Sequence, residues 1–232
     1  MADAVTVARE AVDRLLNHRV LRRQSAAVSS ESALRGARAS AALEGHELPL
    51  TELRAGEVHD PVVLGAVRVS AGLGGLVPVW ERAPLQALAR LHVLAGAGTV
   101  PDEDLGRPAA ATDMNRLTAL ARLVADNRAT SGILLAAVVH GELATLAPFG
   151  NLDGVVARAA GRLTMITRGV DPKSVSVPEV GHLDRADDYR AALIAYSTGE
   201  RAGVAQWLRH CAIAVQLGAQ EGLAICEALL RG

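Results

Sequence analysis

The segment 140–158 constrains the fold more than any other part of the sequence. It begins as the end of an apolar helix, passes through a Pro148–Phe149 turn and a short loop, and starts a second helix at Asp153. Phe149 is the single phenylalanine of a chain in which only 2% of residues are aromatic. We therefore predict two apolar helices that pack around a buried Phe149.

The rest of the sequence shows helical periodicity and no alternating pattern of the kind that strands require. The predicted helices cover residues 2–23, 29–43, a short stretch after Thr51, 61–73, 85–94, 112–127, 131–145, 154–168, 183–196, 202–217 and a last segment that ends at Leu230. Two glycine-rich segments, 72–76 and 96–108, indicate a flexible turn and a turn-rich loop, and residues 173–181 indicate a polar loop. The predicted fold class is all-α.

Composition and charge argue against several classes of function. A formal net charge of −1 gives no field that would attract nucleic acid or a membrane surface. The N-terminus has no apolar signal region, and apolar runs such as 131–139 are shorter than the ~20 residues of a membrane span. Cys211 and Cys226 are isolated, which favours buried reduced thiols over a disulfide or a zinc site. We expect a cytoplasmic protein with no nucleic-acid and no membrane partner.

Two motifs, in this order along the chain, resemble those of the Fic (Fido) family. The first, Ser40-Ala-Ala-Leu-Glu44-Gly45, is similar to the family's inhibitory-helix motif, Ser/Thr-x-x-x-Glu-(Gly/Asn). The second, residues 147–158, aligns without a gap with the signature His-Pro-Phe-x-(Asp/Glu)-Gly-Asn-Gly-Arg-x-x-Arg. It matches this signature at four positions: Pro148, Phe149, Gly154 and Arg158.

The resemblance implies an organisation, an activity and one specific contact. A helical extension, residues 1–28, would precede a Fic-like domain, 29–232, with an inhibitory-type helix at 29–45 and a core at about 60–217. Active family members transfer AMP from ATP, with Mg²⁺, to a hydroxyl of a target protein. In regulated members the inhibitory Glu pairs with the second Arg of the signature, so we predict a near-bidentate ion pair between Glu44 and Arg158.

The signature in this chain lacks the residues to which the resemblance assigns catalysis. Ala147 replaces the His that acts as general base, and Asn151 replaces the acidic residue that holds Mg²⁺. Leu152 and Asp153 change the loop that would cradle a diphosphate, and Val155 replaces the first arginine. We expect Asp153 to cap the helix that follows. The prediction is therefore no catalytic residue, no metal ligand and no cofactor.

Three functions remain open at this stage. The first is a pseudoenzyme that keeps the Fic-like scaffold and acts by binding or regulating a protein partner that the sequence does not identify. The second is an active AMP transferase, dependent on ATP and Mg²⁺, with a base from elsewhere such as His182. The third is a plain structural or dimer-forming protein with no ligand, and a homo-oligomer is one possible partner arrangement. His140, near the end of the apolar helix, is predicted to be a hydrogen-bonded core residue rather than a base.

Overall fold

The computed structural model of the chain describes residues 2–126 and 130–231. That part of the chain forms eleven α-helices, one 3₁₀ turn at Arg19–Arg22 and no strand, which confirms the all-α prediction. The helices are α1 (Ala2–Leu16), α2 (Ser25–Leu43), α3 (Leu50–Ala55), α4 (Pro61–Arg82), α5 (Pro84–Gly96), α6 (Met114–Asp126), α7 (Gly132–Leu146), α8 (Asp153–Thr167), α9 (Pro178–Leu183), α10 (Ala186–Ser197) and α11 (Arg201–Arg231).

Helix α8 lies at the centre of the molecule. Twelve of its fifteen residues are buried, and it packs against α2, α4, α5 and α7. A helix enclosed on all sides must satisfy its polar side chains inside the protein. For α8 these include two buried arginines, Arg158 and Arg162.

The apolar core consists of two large clusters and one small aromatic cluster. One large cluster joins α4, α5, α6, α7 and α8, and it includes Phe149, which is 6% exposed. The second large cluster packs α1 against α11. The small cluster includes Tyr189, Tyr196 and Trp207. The burial of Phe149 between α7 and α8 confirms its predicted role as a core anchor.

The predicted turn at 72–76 is wrong, because these residues lie inside α4. Val69, Leu73, Leu76 and Trp80 bury one face of this helix in the core. Tertiary packing of that face outweighs the weak helix propensity of glycine. None of the glycines in this segment has a positive φ, so nothing in the backbone requires a turn.

Other helix boundaries also differ from the sequence prediction. The predicted helix 2–23 is divided into α1 and the 3₁₀ turn, and α2 begins at Ser25 rather than at residue 29. The predicted helices at 202–217 and beyond are one continuous helix, α11, in which Gly218 allows the backbone of Val177 to approach closely. Helix α9 was missed because Pro178 begins the helix instead of ending a loop. The predicted end of a helix at Asn127 lies outside the described residues.

Helices α4 and α11 are long and apolar enough to cross a bilayer, judged by length and composition alone. The sequence prediction had found only shorter apolar runs, since it ended the first of these helices at residue 73. Both helices contribute fully buried tryptophans, Trp80 and Trp207, to the protein core. Buried core helices of globular proteins have the same composition. The absence of a membrane partner therefore stays a prediction.

Candidate functional site

The turn between α7 and α8 is held in place by the loop 97–113, which connects α5 to α6. Ala147 ends α7 in the left-handed region, with φ of 45°, and its side chain is exposed. The carbonyl of Pro148 accepts hydrogen bonds from the backbone N–H of Ala109 (2.8 Å) and the hydroxyl of Thr112 (2.8 Å). The position that the resemblance assigns to the base therefore carries only a methyl group.

His92, on α5, connects the loop, the turn and Asn151. Its ring stacks on Phe149, with centroids 4.2 Å apart and an interplanar angle of 7°. Its Nδ1 accepts a hydrogen bond from the backbone N–H of Gly106 (3.0 Å), so Nε2 is left to donate to Oδ1 of Asn151 (2.9 Å). The Asn151 oxygen, which stands at the metal-ligand position of the signature, is thus already engaged.

His92 was missed by the sequence reasoning. Its one sequence signal is a polar residue on the buried face of the apolar helix α5, where burial requires hydrogen-bond partners. The partners come from Gly106 and Asn151, which are distant in sequence, and no motif connects them. The loop 97–113, of which the sequence prediction described residues 96–108 as turn-rich, is therefore an integral part of this site.

Asp153 does not cap α8 as predicted. Its Oδ1 accepts a hydrogen bond from the backbone N–H of Phe149 (2.9 Å), so the carboxylate turns back and closes the loop before the helix. The N-cap residue of α8 is Leu152, which has φ of 53° and makes no side-chain cap. Burial raises the pKa of the Asp153 carboxyl, and Glu44 raises it further, whereas the N–H groups of Phe149 and Gly150 lower it.

Arg158, on α8, is a buried cation, and each of its three guanidinium nitrogens donates to a neighbouring group. Its Nε donates to the hydroxyl of Ser40 (2.9 Å), and one terminal nitrogen donates to the carbonyl of Ser40 (2.9 Å) and to Oε1 of Glu44 (2.6 Å). The other terminal nitrogen donates to the Tyr189 hydroxyl (3.3 Å). Burial lowers the pKa of Arg158, but Tyr189 and Glu44 outweigh it, and the net shift is upward.

The predicted ion pair between Glu44 and Arg158 is therefore present, but in a single-contact form rather than a near-bidentate one. Glu44 caps the C-terminus of α2, and Gly45 follows it with φ of 90°. The carboxylate lies directly against the backbone at Gly154, where any added Cβ would overlap Glu44 Oε1. Glu44 and Asp153 together make the start of α8 negative.

The two other histidines considered from the sequence lie in an aromatic cluster behind Arg158. His140 Nε2 contacts the Tyr189 hydroxyl at 3.0 Å, and His182 Nδ1 contacts His210 Nε2 at 3.0 Å. His140 and His182 are each 4% exposed, and burial lowers the pKa of both rings well below the ordinary value. His140 is thus the buried, hydrogen-bonded residue that was predicted, and His182 is too enclosed to act as a base at the turn.

Comparison with known proteins finds structural matches but no sequence matches. No known family model matches the chain, and no curated protein matches it. The crystal structure of a Fic family protein from Desulfovibrio desulfuricans G20 is similar with a TM-score of 0.77 and 19% identity, over 96% of this chain and 74% of that one. Fic-1 from C. elegans is similar with a TM-score of 0.75 and 17% identity, over 98% and 73% of the two chains. At these identities the similarity is one of fold.

Proposed function

We propose that this chain, which has the Fic/Fido fold, is a pseudoenzyme: it keeps the scaffold, has lost transfer of AMP and acts by binding or regulating another protein. The observation that carries the proposal is the arrangement at the start of α8. There the Glu44 carboxylate lies against Gly154, and all three nitrogens of the Arg158 guanidinium donate to Ser40, Tyr189 or Glu44. A nucleotide phosphate would have to displace a carboxylate from a buried cation.

The lost groups act by separate mechanisms, so the proposal does not depend on Glu44 alone. General-base catalysis is worth about 10²- to 10⁴-fold, and Ala147 provides none of it. Asn151 offers a neutral oxygen that already accepts from His92, whereas Mg²⁺ prefers charged oxygen ligands. Leu152 places a side chain where the phosphate would have to approach the backbone closely.

The alternative, an active AMP transferase with a rearranged site, needs a base that reaches the turn. His182 is the candidate named from the sequence, and its burial beside His210 opposes this role. His92 lies near the turn, but both of its ring nitrogens are occupied by Gly106 and Asn151. Neither histidine favours the alternative.

The proposal is tested by thermal unfolding with millimolar Mg-ATP. A ligand present at 100 times its Kd stabilises by ~2.7 kcal/mol, which corresponds to a rise in Tm of about 5–10 °C for a chain of this size. We expect no rise for the wild type. A rise of several degrees that a chelator reverses would contradict the proposal.

The Glu44→Gln variant distinguishes a lost site from one that is merely blocked. If Glu44 were the only obstacle, its neutralisation would restore ATP binding; we expect that it does not, since Asn151, Leu152 and Val155 are unchanged.

Transfer of labelled AMP to lysate proteins gives a second measurement. Ala147→His alone should remain inactive, whereas the smallest set of changes expected to revive transfer is Ala147→His, Asn151→Asp, Leu152→Gly, Asp153→Asn and Val155→Arg. Activity of the single variant would show that the phosphate site is still intact.

A further inference from the structure

A small, partly enclosed cavity lies behind Arg158, where α7, α8, α9 and α11 meet. Its volume is about 30 Å³, which is space for one water molecule or one metal ion. Its walls include His140, His182 and Cys211, one from each of three helices. One potential ligand atom from each of these residues lies within 4.8 Å of the other two. No sequence motif could reveal this group, because its members are 29 or more positions apart along the chain.

Each histidine uses one ring nitrogen for a neighbouring side chain and keeps the other. His140 Nε2 contacts the Tyr189 hydroxyl, and His182 Nδ1 contacts His210 Nε2. The second nitrogen of each ring, Nδ1 of His140 and Nε2 of His182, takes no part in these two contacts. Histidines that bind metals are typically held in this way, with one nitrogen oriented by a neighbour and the other on the metal.

The charges around the cavity favour a metal ion whose binding leaves the total charge of the site unchanged. Arg158 and Arg162 both line the cavity, so the lining already contains two positive charges. A divalent ion with one thiolate would add a net positive charge to this apolar interior, at a high desolvation cost. A monovalent ion with the Cys211 thiolate and two neutral imidazoles adds none.

The number of ligands points to the same class of ion. A structural zinc site requires four ligands, and within the described residues no fourth His, Cys, Asp or Glu joins this group. Two nitrogens and one thiolate are soft ligands that suit Cu(I). Bond lengths near 2.0–2.3 Å place the ligand atoms of a three-coordinate ion roughly 3.5–4 Å apart. The ligand atoms here lie within 4.8 Å of one another, so each of these distances would shorten by less than about 1.5 Å.

One carboxylate beside the cavity is only weakly paired. Glu179 lines the cavity and is 4% exposed, its Oε1 is 3.5 Å from Arg162, and its Oε2 has no hydrogen-bond partner in the part of the chain that the structure describes. This carboxylate offsets part of the positive charge that Arg158 and Arg162 bring to the lining, so the cavity is less hostile to a metal cation than the two arginines alone would make it.

We propose that His140, His182 and Cys211 form a three-coordinate site for a soft monovalent metal ion, with Cu(I) as the best fit. Binding exchanges the thiol proton for the metal: the Cys211 S–H bond breaks, the S–Cu(I) bond forms, and one proton leaves to solvent. No oxidation or reduction is involved. Because the metal displaces the thiol proton, the affinity for the metal increases with pH.

The test uses the full chain, kept anaerobic with a reductant, in competition with a chromogenic Cu(I) chelator. Three proteins are compared: the wild type, Cys211→Ser and Cys226→Ser. Cys226 is a buried thiol outside the group and is therefore a matched control. The Tm values of the copper-free proteins establish that the variants fold. The copper content of protein purified from copper-supplemented cells shows whether the cavity is filled during folding.

We expect one Cu(I) and one released proton per chain for the wild type and Cys226→Ser. Loss of the thiolate in Cys211→Ser should lower the affinity at least about 100-fold, since the thiolate is the ligand that selects Cu(I). Equal binding by all three proteins, or binding by none, would overturn the proposal. So would displacement of Cu(I) by an equal concentration of Zn²⁺, because the charge argument would then be wrong.

Discussion

Neutralising Glu44 measures how strongly the contact between the two motifs holds α2 on the protein core. The Arg158 side chain is 2% exposed and the Glu44 side chain 28% exposed, so the pair is neither fully buried nor a surface pair. Breaking a buried pair costs ~3–5 kcal/mol, and an exposed pair contributes ~0–1 kcal/mol. Since Arg158 keeps Ser40 and Tyr189 as acceptors, we expect Glu44→Gln to cost about 2 kcal/mol.

The assay is urea unfolding of the single variants Glu44→Gln and Arg158→Gln and of the double variant. Arg158→Gln should cost more, about 3–5 kcal/mol, because it also removes the donors to Ser40 and Tyr189. The coupling energy from the double-mutant cycle should be about 1.5–2.5 kcal/mol. In thermal unfolding, the Glu44→Gln loss corresponds to a fall in Tm of about 4–8 °C.

The control for this cycle is Asp187→Asn. Asp187 forms an ion pair with Arg190, but its side chain is 98% exposed, so we expect no measurable loss of stability. A coupling energy between Glu44 and Arg158 below about 0.5 kcal/mol, a typical surface-pair value, would refute the reasoning. The carboxylate would then contribute nothing to the attachment of α2.

Three further predictions concern the turn, the start of α8 and the buried histidines. Ala147→Gly should raise stability by about 0.5–1 kcal/mol in urea unfolding, because Ala147 has a positive φ; Ala97→Gly, at φ of −57°, should not. Gly154→Ala should destabilise the wild type, since its Cβ overlaps the Glu44 carboxylate, yet stabilise Glu44→Ala, because alanine favours helices; the same sign in both backgrounds would contradict the contact. Burial lowers the pKa of three histidines, to about 4 for His210, so protonation favours the unfolded chain. The free energy of unfolding should be highest above pH 6.5 and fall as the pH decreases to about 4, by up to ~1.4 kcal/mol per pH unit for each histidine; a flat profile would be inconsistent with neutral buried rings.

The sequence predicted those parts of the site that depend on local motifs. Phe149 is a core anchor because a lone ring between two apolar helices has few other stable positions, and the structure places it there. The contact between Glu44 and Arg158 could be predicted from the sequence because each residue belongs to a recognisable motif. The single-contact form of this ion pair could not be predicted, since it depends on how Ser40 and Tyr189 share the guanidinium of Arg158.

Where the sequence prediction failed, long-range packing or hydrogen bonding decided the outcome. The segment 72–76 remains helical because the opposite face of α4 is buried, which glycine propensity alone does not reveal. Asp153 turns towards the N–H of Phe149 because the loop that begins after Ala147 closes on itself. His92 acquires its partners through the loop 97–113, which has no periodic pattern to interpret.

The buried Arg158 has a structural explanation that does not depend on the signature. Because α8 is enclosed on nearly all sides, loss of this guanidinium would leave the Ser40 carbonyl without its side-chain donor, whereas the Tyr189 hydroxyl would keep His140 as its partner. A buried polar group without a partner costs ~1–3 kcal/mol. The same argument does not apply at position 155, where a buried valine packs in the apolar core. The residue that the resemblance assigns to phosphate binding thus also has a structural role in this chain, as a hydrogen-bond donor to groups on α2 and α10.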